Sequence, residues 1–64
     1  MAYTHGELLI AVATLARDKG VFRVWRFDID DRDNYLVPSE DGRPLRLRGK
    51  DVWEMAAKIK EQRK

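Results

Sequence analysis

Cysteine is absent from this chain, histidine occurs once and proline twice. Without cysteine there are no disulfides, and one histidine with no thiol excludes zinc-finger ligand spacing. No apolar run approaches the roughly 20 residues that span a bilayer. The opening Met1-Ala2-Tyr3-Thr4-His5 has no basic stretch leading into a cleavable apolar segment, so no secretory signal is expected. Gly6, Gly20, Gly42 and Gly49 are scattered and form no phosphate-cradling loop. These absences lead to the expectation of a soluble, cytoplasmic protein with no membrane, metal or cofactor partner.

What remains is a chain of 64 residues, 44% hydrophobic and 38% charged, enough for a compact core beneath a heavily charged surface. The length fits one small domain, residues 1–64. Below about 70–80 residues a core rarely supplies more than ~3–5 kcal/mol. Disulfides and cysteine-bound metals being excluded, idealised local structure or self-association must fill the gap, and with the wide apolar stripe of the first helix a homodimer is expected.

Two segments carry helical periodicity. In the first, from Glu7 to Arg17, Leu8, Val12 and Leu15 form an apolar stripe widened by Leu9, Ala13 and Ala16. Glu7, Thr14 and Asp18 form a narrow polar strip bordered by Ile10. Thr4 and Glu7 have capping-box spacing and Gly20 is placed as the C-terminal stop. The second helix is expected to start at Asp51, where Asp51 and Glu54 repeat that spacing. Its stripe is Val52, Met55, Ala56 and Ile59, with Trp53 at the edge, and its charged tail Lys60–Lys64 is expected to fray.

Between them the composition is β-branched and aromatic. Val21–Asp30 reads as a strand whose alternation changes phase: Trp25, Phe27 and Ile29 share one face, Phe22 and Val24 the other. Either a bulge sits near Val24, or the strand is apolar on both faces. Tyr35–Val37, ended by Pro38, is a short second strand, and Leu45–Arg48 a third. Asp30–Asn34 and Ser39–Gly42 are turns, the second with the Asp41-Gly42 hairpin signal. The expected fold class is α+β: a helix, a three-stranded antiparallel meander and a helix, both helices on one sheet face. The other face is left uncovered.

Charge is segregated along the chain. Residues 1–27 carry four basic and two acidic groups, 28–41 one and six, and 42–64 eight and three. The formal net charge of +2 therefore hides local balances of +2, −5 and +5. Arg43, Arg46, Arg48 and Lys50 cluster around the third strand, and Arg26, with Arg23 as a further candidate, can join them from the first. With Trp25 as a stacking surface, they are the candidate contacts for phosphates and bases. The competing reading pairs Arg46 and Arg48 across the sheet with Asp28 and Asp30.

The acidic run Asp28-x-Asp30-Asp31-x-Asp33-Asn34 does not have calcium-loop spacing. Counting from Asp28, Arg32, Asp33 and Ser39 stand where a ligand, a glycine and a glutamate are required. His5 and Ser39 have nothing to orient them as a nucleophile–base pair, and no pocket is implied that would tune a carboxylate. Catalysis is not expected.

The order helix, three strands, helix at this length resembles the double-stranded-RNA-binding domain, and Gly49–Lys58 is similar to its second helix. That family has a basic cluster at the helix start, where Asp51, Val52 and Glu54 stand here. Gly42–Arg48 is similar to the wing of small excisionase-type DNA binders, without the helix-turn-helix that precedes it there. Neither family is assigned on these fragments. The expectation is a non-enzymatic binding protein acting through protein–protein contacts, as a regulatory or assembly adaptor. The alternative is a nucleic-acid-binding module. Six acidic groups in residues 28–41 would repel a backbone laid along the same hairpin, which favours the protein partner.

Overall fold

A computed structural model describes residues 3–39 and 42–62. Its first helix, α1 (His5–Asp18), begins as the sequence requires. The Thr4 hydroxyl accepts the Glu7 amide at 3.2 Å, and the Glu7 carboxylate accepts the Thr4 amide at 2.9 Å. Gly20 ends it with a φ of 85°. There the Gly20 amide donates to the Arg17 carbonyl and the Val21 amide to the Ala16 carbonyl. This paired closure needs a left-handed residue, which glycine supplies at little cost.

Three short strands follow: β1 (Asp28–Ile29), β2 (Tyr35–Val37) and β3 (Leu45–Leu47). They form one antiparallel sheet in the order β1-β2-β3. Asp28 pairs with Leu36 and Leu36 with Arg46, so those three share a face. Tyr35, Val37 and Leu47 are buried on the other. There they meet Ala11 and Val12 of α1 and Val52 and Ala56 of α2 (Gly49–Gln62). The fold is α+β, both helices covering one side of the meander.

The core is thin. Its largest fully buried side chains are Val12, Val37 and Val52, and three of its eight buried residues are the alanines 11, 16 and 56. Alanine at these positions lets the two helices approach closely. The α1 stripe widens toward Ala11 instead of toward Leu9 and Ala13, which are half-buried.

Two expectations are corrected here. The stretch 21–30 is not a continuous strand, because only Asp28 and Ile29 pair with β2. Val21, Val24 and Phe27 pack against the core while Phe22 and Trp25 face outward. Inward positions thus recur every third residue, and neither a bulge nor a two-faced strand explains the broken alternation. The second helix starts at Gly49, two residues before Asp51. The Val52 amide donates to the Arg48 carbonyl at 3.1 Å, so Asp51 lies inside the first turn and Arg48 outside β3. At the other end α2 runs to Gln62, and Arg63 and Lys64 of the expected fraying tail lie outside the described residues. No helix among the described residues is long and apolar enough to cross a membrane.

Candidate functional site

The β1–β2 turn shows how the acidic run is used. Asp30 Oδ1 accepts the Arg32 and Asn34 amides, each at 2.9 Å, and Oδ2 accepts the Asn34 side-chain amide at 3.2 Å. Asp33 takes a φ of 62°, the left-handed position that lets the turn close. Both Asp30 oxygens are therefore occupied by the turn itself. The backbone amide of Asn34, then that of Arg32 and the Asn34 side chain, hold the Asp30 carboxyl below its ordinary value, opposed by partial burial and aided by the charge of Arg46.

The sign follows from the lowered value. Stabilisation by ionised Asp30 is present above its ordinary value of 3.8 and is lost as pH falls through the folded value. Thermal melts of wild type and Asp30→Asn should differ near neutral pH, and the difference should shrink as the pH is taken down through the acid range. An equal difference at neutral and acid pH would show that the charge contributes nothing.

The candidate basic residues around β3 are spread along the strand and past both of its ends. Arg43 lies at the end of β3 nearest Ser39, whose hydroxyl donates to the Arg43 carbonyl at 2.8 Å. Arg48 and Lys50 lie at the opposite end, flanking Gly49, which abuts the Asp33 carbonyl of the acidic turn. Between the ends the exposed sheet face carries the row Asp28, Leu36, Arg46. Asp28 is paired with Arg26 at 3.1 Å, not with Arg46, and both partners are exposed. Such a pair contributes about 0.2–1 kcal/mol. The expected cross-strand pairing of Arg46 and Arg48 with Asp28 and Asp30 is not made. Asp30 is engaged in its turn, and Arg48 has left the strand. The Ser39–Gly42 turn is closed by a bond from the Gly42 amide to the Ser39 carbonyl, with Gly42 at a φ of 84°. Asp41, the other half of the hairpin signal, lies outside the described residues.

Apolar exposure is concentrated elsewhere. Phe22 is 71% and Trp25 65% exposed, with Ile29 at 53% a little further along. Phe22 and Trp25 line a groove of about 450 Å³ with Lys19, Gly20, Val21, Arg23, Pro38 and Ser39. The geometry that produces this shoulder is local. The closure at Gly20 turns Val21 onto the core, and Phe27 is held between two rings, 5.1 Å from His5 and 5.1 Å from Tyr35. With both ends of the segment fixed inward and Val24 also packed, Phe22 and Trp25 have no inward direction left.

The sequence offers Trp25 as a candidate contact with Arg23 and Arg26 beside it, but does not group Phe22 and Lys19 with it. The signal was the broken alternation itself, since inward residues at 21, 24 and 27 place 22 and 25 outside. The exposed sheet face carries Asp28 and Arg46 around Leu36, and the two most exposed large apolar side chains, Phe22 and Trp25, lie on this loop and not there. Comparison with protein-family models, with curated proteins and with solved structures finds no match for this chain.

Proposed function

We propose that this chain is a non-enzymatic protein-docking module whose contact segment runs from Phe22 to Ile29. The observation that carries the reading is the exposure of Phe22 and Trp25 beside a groove rimmed by Lys19 and Arg23. Two aromatic side chains left about two-thirds exposed lose the burial that would stabilise a solitary domain. Aromatic and arginine side chains in combination are the residues that dominate protein interfaces.

A phosphate-binding role has less support. The six candidate residues fall into separate groups, with Trp25 at the groove, Arg26 bound to Asp28, and Arg48 and Lys50 beside the acidic turn. A nucleic-acid backbone following Arg43, Arg46 and Arg48 would pass the Asp28 and Asp30–Asp33 carboxylates.

The test compares wild type with Phe22→Ser/Trp25→Ser. Both substituted positions are exposed, so the fold should persist by circular dichroism. Immobilised chains are incubated with nuclease-treated lysate of the source cells and, separately, with untagged copies of the chain. A ligand held by wild type and lost from the variant is then prepared pure and titrated. Binding at least about tenfold weaker to the variant is expected. If both chains retain the same ligands, or if a single-stranded oligonucleotide at 50 mM salt is the ligand the variant loses, the reading is overturned.

A further inference from the structure

The stretch Val21–Ile29 has the composition of a strand, yet β1 comprises two residues at the edge of the sheet. Among the described residues the backbone groups of 22–26 have no hydrogen-bond partner. A β-rich edge segment of this kind is a template for pairing with another chain. The sequence around Phe27 also has a particular symmetry of charge. Stepping outward from Phe27, Arg26 mirrors Asp28, Trp25 mirrors Ile29, and Arg23 mirrors Asp31. Within 23–31 the exposed apolar residues are Trp25 and Ile29, and Arg23, Arg26, Asp28 and Asp31 are exposed charges.

We propose that the occupant of this docking segment is a second copy of the chain, paired antiparallel along 24–30 about a twofold axis at Phe27, with Arg23 and Asp31 meeting at the ends of the ladder. This rests on the docking reading above and names its partner. An antiparallel pair centred on Phe27 sets each of those residues opposite its mirror position on the other copy. Arg23 then faces Asp31, Trp25 faces Ile29, and Arg26 faces Asp28, twice over in the dimer. Opposite charges and apolar pairs directly across a ladder stabilise it, and like charges oppose it. A parallel alignment would set Arg on Arg and Asp on Asp. A shift of one residue would set Trp25 opposite Asp28 or Asp30.

The pairing supplies what the single chain lacks. It gives ladder partners to the alternate backbone groups of the segment that point away from β2, and it covers Trp25 and Ile29. It also enlarges a core whose largest fully buried side chains are three valines. The Arg26–Asp28 pair made within one chain exchanges for the same pair between chains, with no loss of charge matching. Val24 must turn from the core to stand opposite Asp30, the one mismatched pair of this register, and Asp31 reaches Arg23 from the β1–β2 turn at the end of the ladder.

Charge swapping tests the register. Sedimentation of wild type from low to high micromolar concentration should show a shift from one to two chain masses. Arg23→Glu and Asp31→Arg each set like charges opposite one another twice, and each alone should weaken the dimer by about tenfold or more. Mixing the two variants should restore it, because Glu at 23 then faces Arg at 31 while the native Arg23 and Asp31 face each other. Both positions are exposed, and unchanged helical circular dichroism establishes that the variants are folded. Should either lose helicity, Arg23→Gln and Asp31→Asn replace them, with loss of the dimer's salt dependence as the readout.

A dimer indifferent to both substitutions, or one that mixing does not restore, overturns the register. A chain that stays monomeric overturns the second-copy proposal. The docking reading then stands or falls on whether the lysate experiment yields a different protein that Phe22→Ser/Trp25→Ser loses.

Discussion

Replacing Gly49 by alanine should destabilise this protein although the position is helical. In an exposed helix interior, glycine to alanine gains up to about 1 kcal/mol. At Gly49 a Cβ would overlap the backbone carbonyl oxygen of Asp33 and lie 3.3 Å from the Trp53 ring. The carbonyl belongs to the turn held by the Asp30 carboxylate, so it cannot swing aside as a flexible side chain would. Either α2 backs away from the β1–β2 turn or the turn opens. Overpacking of this kind costs about 1–3 kcal/mol, which exceeds the propensity gain. Against a core limited to ~3–5 kcal/mol the loss is a large fraction of total stability. The melting temperature should fall by about 4–8 °C for each kcal/mol. Lys50→Ala, one residue on and exposed, should change it little. A Gly49→Ala protein as stable as wild type would mean that the turn and helix do not meet as described.

The same contact explains what the sequence concealed. Thr4, Glu7 and Gly20 act over a few residues, so their spacing reveals α1 directly. The start of α2 is set instead by Gly49 meeting a turn sixteen residues earlier, and no local pattern reports that. Asp51 and Glu54 have capping-box spacing, but the Arg48 carbonyl receives the first bond. The turn at Asp30–Asn34 was legible because Asp and Asn bond to their own backbone. The stretch 21–27 was legible in composition and not in conformation. Its β-branched and aromatic residues favour a strand, but pairing needs a neighbour, and β2 offers only three residues. The chain follows the core instead, with Val21, Val24 and Phe27 inward. For the arginines, alternation assigns a face within a strand but says nothing of where the strand ends. Arg48 lies past that end.

Tyr35 should be the most sensitive side chain in the molecule, and two substitutions separate its roles. It is 3% exposed on the central strand, pairs with Ile29 on one side and Leu47 on the other, and packs its ring against Phe27. Through Phe27 it is linked to His5 at the start of α1. Its hydroxyl oxygen accepts the Trp53 indole N–H at 3.1 Å, which ties it to α2. Every element of the fold except β3's far end thus reaches this ring directly or through one neighbour. Tyr35→Phe keeps the ring and removes the acceptor. The half-buried Trp53 N–H retains some access to water, so the cost should be about 0.5–1.5 kcal/mol. Tyr35→Ala removes the ring from a core whose fully buried side chains are no larger than valine, and aromatic truncations of this kind cost about 3–5 kcal/mol. That equals the whole stability expected of so small a core. Tyr35→Phe should therefore melt cooperatively at a lower temperature, whereas Tyr35→Ala should be largely unfolded at room temperature by circular dichroism. If dimer formation contributes to stability, raising the protein concentration should recover part of the Tyr35→Ala helicity. A Tyr35→Ala chain that melts like wild type would show that the core is held together by other contacts.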